Sequence, residues 1–155
     1  GMRVGLGALL LSGAAIAHDF PKGCEPRDFQ FSNYNLVLNE QGDQRLFLIQ
    51  NRSTEAVDLS RLQGRNDFMN PSLSAKLAPG TWAAFASDIA NLNFECHITE
   101  GENTRKIDCA QALDVCEYPR AKFALSNMGN YWISANKPRQ NIVQDAATKG
   151  IYLHW

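Results

Sequence analysis

Short apolar runs separated by turn residues dominate the chain from Asp28 onward, and this pattern predicts strands rather than helices. Residues 35–39 and 45–50 are two such runs, and the segment 40–43 between them contains Gly42, which suits a tight hairpin loop. The run at 45–50 is apolar on both alternating faces, so we expect a central strand that is covered on both sides.

A second turn signal lies near the middle of the chain. Pro79 and Gly80 suit the two central positions of a type II turn. The apolar residues that alternate before this turn are Leu73, Ala75 and Leu77. Residues 82–86 form the next apolar run, which we interpret as the strand that returns from the turn.

The segment 92–98 alternates strictly between apolar and polar residues, as a half-buried strand does. Its apolar face carries Leu92, Phe94, Cys96 and Ile98, and its polar face carries Asn93, Glu95 and His97. A polar loop at 99–105 follows, and Ile107 with Cys109 indicates the beginning of another strand.

The C-terminal third predicts a strand at 131–135, one helix, and a final strand at 151–155. Residues 136–138, which end in a proline, favour the beginning of the helix, and Gly150 is placed as its C-terminal cap. The apolar side of this helix carries Ile142, Val143, Ala146 and Ala147, and its polar side carries Gln140, Asn141, Gln144, Asp145 and Lys149. With roughly seven strands, the fold class is all-β, a mainly antiparallel, immunoglobulin-like β-sandwich with one C-terminal α-helix.

The first residues of the chain indicate where the protein works. Arg3 supplies a positive charge, residues 4–16 are apolar, and residues 15–17 give a small-x-small cleavage pattern, as in a secretory signal peptide. The apolar run is shorter than the roughly 20 residues that span a bilayer. We therefore expect residues 1–17 to be a signal peptide and residues 18–155 to be the mature protein, a single domain.

Composition narrows the range of partners. The mature part has 138 residues, with 14 basic residues after the loss of Arg3 and 16 acidic ones, a formal charge of −2. Neither this balance nor any run of like charges indicates nucleic acid or an anionic membrane as a partner. After residue 17 no apolar stretch is long enough to span a membrane. Gly1, ahead of Met2, is interpreted as an expression scar.

Four cysteines remain in the mature chain, an even number that favours two disulfides after export to an oxidising compartment. A zinc site is the competing interpretation, although no C-x-x-C pair is present. If the hairpin is centred midway between Gly101 and Thr104, Cys96 and Cys109 face each other at the roughly 4.5–5.5 Å Cβ separation of opposite residues. A modest adjustment then allows a bond. Three pairings are possible in principle; we expect Cys96–Cys109, and with it a second bridge, Cys24–Cys116.

The histidines offer a weak candidate metal site. Cleavage after Ala17 makes His18 the mature N-terminus, where the free amine and the imidazole together suit Cu(II). A second ligand would be His97, on the polar face of its strand, or His154 near the other end. The alternative is that His18 merely follows the cleavage site in a flexible terminus. We expect no cofactor.

No catalytic motif is present. There is no G-x-S-x-G motif, and cysteines in disulfides supply no thiolate. The carboxylates Asp88, Glu95, Glu100 and Glu102 are near predicted turns or on a strand, and sequence alone identifies no acid–base pair among them.

Two further patterns leave alternatives open. The aromatic residues Trp82, Trp132, Trp155, Tyr131 and Tyr152 could form a stacking platform for sugar rings, or they belong to the core. Trp155 is the one most open to partial exposure, because it is terminal. Residues 51–53 match a glycosylation acceptor pattern, which also arises easily by chance.

Several short segments of the mature chain carry a family resemblance. They are Leu46-Phe-Leu-Ile-Gln-Asn-Arg-Ser53, Pro79-Gly-Thr-Trp-Ala-Ala-Phe-Ala86, Asn93-Phe-Glu-Cys96, the pair Cys109 and Cys116, and Gly129-Asn-Tyr-Trp-Ile-Ser-Ala-Asn136. Together they resemble the enhanced entry protein EnhB family, small exported proteins of Legionella and related bacteria. The resemblance implies an envelope or secreted virulence factor connected with uptake of the bacterium by host cells. It implies no enzymatic mechanism and identifies no binding residue.

We therefore expect a periplasmic or secreted, disulfide-stabilised protein that is not an enzyme. It would act through contacts with a protein partner in the envelope or on a host cell. A periplasmic copper protein using His18 and a cell-wall carbohydrate-binding module are the two alternatives.

Overall fold

The computed structural model describes residues 19–26, 31–32, 34–61, 74–118 and 130–155. The strands in these ranges are β1 (Glu25–Pro26), β2 (Phe31–Ser32), β3 (Asn35–Leu38), β4 (Arg45–Asn51), β5 (Val57–Arg61), β6 (Ala75–Leu77), β7 (Trp82–Ser87), β8 (Leu92–Glu100), β9 (Asn103–Ile107), β10 (Leu113–Tyr118) and β11 (Tyr131–Lys137). The helices are α1 (Cys109–Ala112) and α2 (Arg139–Ala147). The predicted signal peptide and His18 lie outside the described residues.

The strands form two antiparallel sheets that face each other. Sheet A has the order β1-β10-β4-β7-β11, and sheet B has the order β2-β3-β8-β5-β6, with β9 paired to β8. Buried side chains from both sheets meet in an inter-sheet core, which includes edge-to-face contact between Phe85 and Phe94, with ring centroids 5.8 Å apart. The predicted antiparallel β-sandwich with a short C-terminal helix and two disulfides is confirmed.

A second core lies on the outer face of sheet A. There α2, the N-terminal segment at 20–24 and the C-terminal tail at 151–155 pack against the sheet. The buried residues of this outer core are Cys24, Leu46, Leu48, Trp82, Ala84, Ala86, Cys116, Tyr118, Ile133, Ile142, Ala146, Ile151 and Leu153. The described residues thus form three layers: sheet B, sheet A, and the helix with the two terminal segments.

The position of β4 explains why its sequence is apolar on both faces. Leu46 and Leu48 point into the outer core, whereas Phe47 and Ile49 point into the inter-sheet core. The strand pairs with β10 on one side and β7 on the other. The prediction of a central strand covered on both sides is confirmed.

The hairpin predicted between residues 35–39 and 45–50 is wrong, and so is the interpretation of residues 82–86 as a strand returning along the one before Pro79, although all of these strands exist. The chain crosses from sheet B to sheet A between β3 and β4, and again between β6 and β7. At the first crossing Asn39 has a φ of 60°, and its side-chain amide nitrogen donates to the backbone carbonyl of Asp43, at 2.8 Å. The same amide donates to the hydroxyl of Ser87 in β7, at 3.2 Å. These bonds fasten the loop to sheet A, so the chain cannot fold back along sheet B.

The turn at Pro79 and Gly80 is confirmed, but it connects two sheets. The amide of Thr81 donates to the carbonyl of Ala78, at 3.1 Å, and Gly80 has a φ of 77°, as the third residue of a type II turn requires. The amide of Gly80 also donates to the carbonyl of Asn51, at 2.7 Å. The turn is therefore fixed to the end of β4 in sheet A, where β7 begins.

Both predicted disulfides are present, and all four cysteines are paired. The register predicted for the first bridge is wrong, because Cys96 faces Ile107 in the β8–β9 hairpin. Cys109 begins helix α1 rather than a strand. The helix forms because the Asp108 side chain accepts a hydrogen bond from the amide of Ala110, at 3.0 Å. This turn of helix directs Cys109 back into the core, where it meets Cys96.

The C-terminal region confirms the helix and corrects the last strand. Pro138 is the N-cap residue of α2, and Gly150, with a φ of 79°, lies in the turn that follows the helix. Residues 151–155 belong to neither sheet. Their burial alternates because Ile151 and Leu153 enter the outer core. The tail lies across the face of sheet A rather than along an edge, so it contributes side chains and no strand pairing.

Candidate functional site

The outer face of sheet B carries a row of ionisable side chains across four strands. Asp58 of β5 lies opposite Lys76 of β6 on one side and His97 of β8 on the other. His97 in turn lies opposite Lys106 of β9. Because strand side chains alternate between faces, these four residues share one surface. We call this surface the sheet B face.

The sheet B face contains a shallow cavity of about 470 Å³, lined by Asp58, Leu59, Ser60, Ser74, Ala75, Lys76, His97, Thr99 and Thr104. The Thr99 hydroxyl donates to the Asp58 carboxylate, at 3.1 Å, and lies 3.2 Å from the Thr104 hydroxyl. Glu95 lies 3.3 Å from Nε2 of His97 and 3.5 Å from Nζ of Lys106. Hydroxyls and both signs of charge therefore meet on rigid strands.

A second concave surface lies on the opposite side of the molecule, between α2 and the C-terminal tail. We call it the C-terminal groove; its volume is about 550 Å³, and it is lined by Arg139, Gln140, Val143, Gln144, Leu153, His154 and Trp155. The helix that forms one wall is fixed by Asp145, which accepts hydrogen bonds from Ser134 at 2.6 Å and Lys137 at 2.7 Å. These two hydrogen bonds lower the pKa of Asp145 below its ordinary value, and the bond from Lys137 has the larger effect.

Trp155 is held in place by the N-terminal segment. Its indole Nε1 donates to the carbonyl of Asp19, at 2.8 Å, and its ring meets that of Trp82 edge to face, with centroids 4.8 Å apart. The guanidinium of Arg139 lies 5.4 Å from the indole centroid and also pairs with the Asp19 carboxylate. The position of the ring is thus defined by three neighbours.

The N-terminal segment itself is anchored to the tail and to sheet A. The amide of Lys22 donates to the carbonyl of His154, at 2.8 Å, and the Tyr118 hydroxyl donates to the carbonyl of Lys22, at 3.4 Å. Burial raises the pKa of Tyr118 to about 12, so this donor keeps its proton at every ordinary pH. The Cys24–Cys116 bridge completes the attachment.

The histidines named as candidate metal ligands do not meet. His97 is on the sheet B face, whereas His154 is exposed beside the outer core on the far side of sheet A. His18 lies outside the described residues, so copper binding stays a prediction. Within the described ranges, no three His, Cys, Asp or Glu side chains form a group that could hold a metal ion.

The aromatic residues divide between the two interpretations. Trp82 is buried in the outer core, and Trp132 packs against Phe85 in the inter-sheet core, with centroids 4.6 Å apart. Trp155 is half-buried and lines the C-terminal groove, and Tyr152 beside it is exposed. Most of the predicted platform is therefore core, and Trp155 remains open to a ligand.

The possible glycosylation triplet has a structural role. Asn51 is fully buried, and its Nδ2 donates to the carbonyls of Glu55, at 2.8 Å, and Leu77, at 2.9 Å. Its Oδ1 accepts from the amide of Ser53, at 2.9 Å, and from the hydroxyl of Ser53, at 2.7 Å. Since every polar atom of this side chain is engaged inside the protein, a glycan on Nδ2 is incompatible with the fold.

Sequence reasoning did not identify most residues of the two surfaces. His97 was placed correctly on an outward face, but Asp58 and Lys76 reach it through strand pairings between distant parts of the chain. Gln140 and Gln144 were recognised only as the polar side of a helix. Their spacing of one helical turn indicates a shared face, but the sequence does not show that the tail lies beside it.

The fold and these surfaces define a disulfide-bonded β-sandwich with a helical third layer and two concave polar surfaces on opposite sides. No protein-family model, no curated protein and no solved structure matches the chain. The described residues contain no helix of the length and apolarity needed to cross a bilayer. The two disulfides are compatible with an extracellular or periplasmic protein.

Proposed function

We propose that the chain is an exported binding protein without enzymatic activity, which contacts a protein partner through the sheet B face. The difference between the two outer faces of the sandwich carries this proposal. The outer face of sheet A is covered by α2 and two terminal segments, whereas no described element packs over the row of Asp58, Lys76, His97 and Lys106.

The chemistry of the sheet B face suits a protein partner. Positive Lys76 and Lys106 lie on the two outer strands of this row, β6 and β9, and negative Asp58 and Glu95 lie on β5 and β8 between them. A fixed pattern of charges on a rigid surface selects partners with the complementary arrangement and repels those with like charges. Lys76 makes no ion pair with any described residue, so its charge is available to a partner.

Export is supported by the cysteines. Each bridge is buried between packed layers. If the bridges were reduced, the four cysteines would be buried thiols, which are chemically inert. Bridges of this kind persist where the compartment is oxidising. The resemblance to the enhanced entry protein EnhB family supports the envelope or the host surface as the place of action, with a role in uptake by host cells.

A photo-crosslinking amino acid at Thr104 tests the proposal in the producing bacterium. Thr104 is exposed on the sheet B face, so we expect a discrete adduct with one protein, recovered from the periplasm or the medium. The matched control places the same amino acid at Lys149, which is exposed at the end of α2 on the opposite side. Lys76→Glu combined with Lys106→Glu should lower the adduct yield at least about fivefold, because complementary charge sets the encounter rate.

Three outcomes would contradict the proposal. They are equal adducts from Thr104 and Lys149, adducts only in the cytoplasmic fraction, and an adduct yield that is unchanged by the two charge reversals. Uptake of the bacterium by host cells is then measured with the same charge-reversed chain. Normal uptake would contradict the proposed role in uptake by host cells.

We also propose copper binding as a second candidate function, because Asp19 lies beside the C-terminal tail that carries His154. Asp19 directly follows His18 in the sequence, and its carbonyl accepts a hydrogen bond from Trp155, at 2.8 Å. Lys22 donates to the carbonyl of His154, at 2.8 Å. These bonds favour His154 over His97 as the second imidazole ligand beside a mature N-terminus at His18.

Titration of the mature chain with Cu(II) tests this candidate. One additional residue before His18 should weaken binding at least about tenfold, because it removes the amine–imidazole chelate. His154→Ala should have a similar effect, and His97→Ala should leave the affinity unchanged. Equal affinity in all four chains would exclude copper binding by the N-terminus.

A further inference from the structure

The C-terminal groove has the size and the composition of a small-ligand site. Its volume of about 550 Å³ falls within the roughly 300–1,000 Å³ of such sites. Leu153, Val143 and Trp155 give it an apolar floor, and polar side chains of α2 form one wall. The groove lies on the side of the molecule opposite the sheet B face, so an inference from it does not depend on the proposed protein contact.

The polar wall is made of groups that both donate and accept hydrogen bonds. Gln140 and Gln144 are four residues apart on α2, so their amides lie on one face of the helix. Each amide offers an acceptor oxygen and two N–H donors, which is the combination that a row of hydroxyl groups can satisfy. Arg139 and His154 add nitrogen donors, and no Asp or Glu side chain is among the lining residues.

The floor offers a fixed aromatic ring. Trp155 is half-buried, and its indole is held by the bond to Asp19, by the edge contact with Trp82 and by the guanidinium of Arg139. A ring that is already ordered loses little conformational freedom when a ligand covers it. A flat apolar surface beside amide groups suits a ligand with an apolar C–H face and polar edges.

We propose that the C-terminal groove binds a short oligosaccharide. One sugar ring lies with its C–H face against Trp155, beside the Arg139 guanidinium, which lies over the indole at 5.4 Å from its centroid, and its hydroxyl or acetamido groups bond to the amides of Gln140 and Gln144. A peptide strand fits the groove less well, because strand addition requires a sheet edge. The groove is lined by a helix and by the tail at 151–155, which belongs to neither sheet.

An array of defined saccharides, including N-acetylglucosamine and glucose oligomers, tests this inference, with indole fluorescence to measure affinity for the best retained compound. The double variant Gln140→Ala with Gln144→Ala should lose at least about tenfold in affinity, because two amide contacts are removed. Alanine is the best helix former, so this variant is expected to fold. Gln111→Ala, at an exposed position of α1 outside the groove, is the matched control and should bind as the native chain does.

Trp155→Phe separates stacking from a general loss of structure. The fluorescence change on binding should shrink at least about threefold in this variant, because Trp155 lines the groove whereas Trp82 and Trp132 are in the two cores; the unfolding temperature shows whether the fold is retained. Three results would overturn the inference: no saccharide retained above the blank, equal affinity in the double glutamine variant, or a fluorescence change of undiminished size without Trp155. Loss of the Thr104 adduct would leave this inference unaffected. Failure to bind any saccharide would likewise leave the protein contact proposed for the sheet B face unaffected.

Discussion

Replacing Cys24 and Cys116 together with alanine is expected to lower the free energy of unfolding by about 4–5 kcal/mol on chain-entropy grounds. The bridge closes a segment with a sequence separation of 92 residues, so its loss gives the unfolded chain much more freedom. The same replacement at Cys96 and Cys109 should cost about 3 kcal/mol, because that separation is only 13 residues. Denaturant unfolding without reductant measures both values.

The two double variants are matched controls for each other, since each removes two buried sulfurs and one bridge. The Cys24–Cys116 variant should also loosen the N-terminal segment, because only noncovalent contacts then hold it, among them the bonds from Trp155 to Asp19, from Lys22 to His154 and from Tyr118 to Lys22. Equal losses of stability in the two variants would contradict the argument from chain entropy.

Replacing Arg45 with methionine is expected to cost about 3–5 kcal/mol, the penalty of breaking a buried ion pair by removing one of its two members. Glu117 is only 1% exposed and lies 2.7 Å from the Arg45 guanidinium. Hydrogen bonds to Asp43 and then to Glu117 raise the pKa of Arg45 against the opposing effect of its burial. The guanidinium therefore stays charged throughout the pH range in which the protein folds. Its removal is expected to lower the free energy of unfolding at neutral pH.

The double variant Arg45→Met with Glu117→Leu provides the control. Replacement of a buried ion pair by apolar side chains of similar volume is often neutral or stabilising, so most of the lost stability should return. Chemical denaturation at pH 7 of the native, single and double variants measures the coupling. A double variant as unstable as Arg45→Met would contradict the assignment of the loss to the Arg45–Glu117 ion pair.

Local patterns predicted the individual elements because their causes are local. The alternation in residues 92–98 gave the buried and outward faces of β8, and the doubly apolar run at 45–50 gave a central strand. Pro79 with Gly80 gave a turn, and Pro138 gave the beginning of α2. Each of these follows from the backbone preferences or the periodicity of a few neighbouring residues.

Which strands pair is decided by contacts that the sequence does not display. A crossing between sheets and a hairpin use the same turn residues, and here the bonds from Asn39 to Ser87 and from Gly80 to Asn51 attach both loops to sheet A. The same limit applies to the surfaces. Asp58 and His97 lie 39 positions apart in the chain, yet they are direct neighbours across two strands. The tail at 151–155 alternates like a strand because it too has one buried side.

The bond from Lys22 to His154 has a practical consequence for labelling and fusion. The described beginning and end of the chain lie side by side on the far side of sheet A. A bulky tag or reporter protein attached before Asp19 or after Trp155 would stand over the same patch and shield it. A small dye at Thr104, on the other side of the molecule, leaves that region open and suits experiments on the C-terminal groove, whereas it would obstruct the contact proposed for the sheet B face.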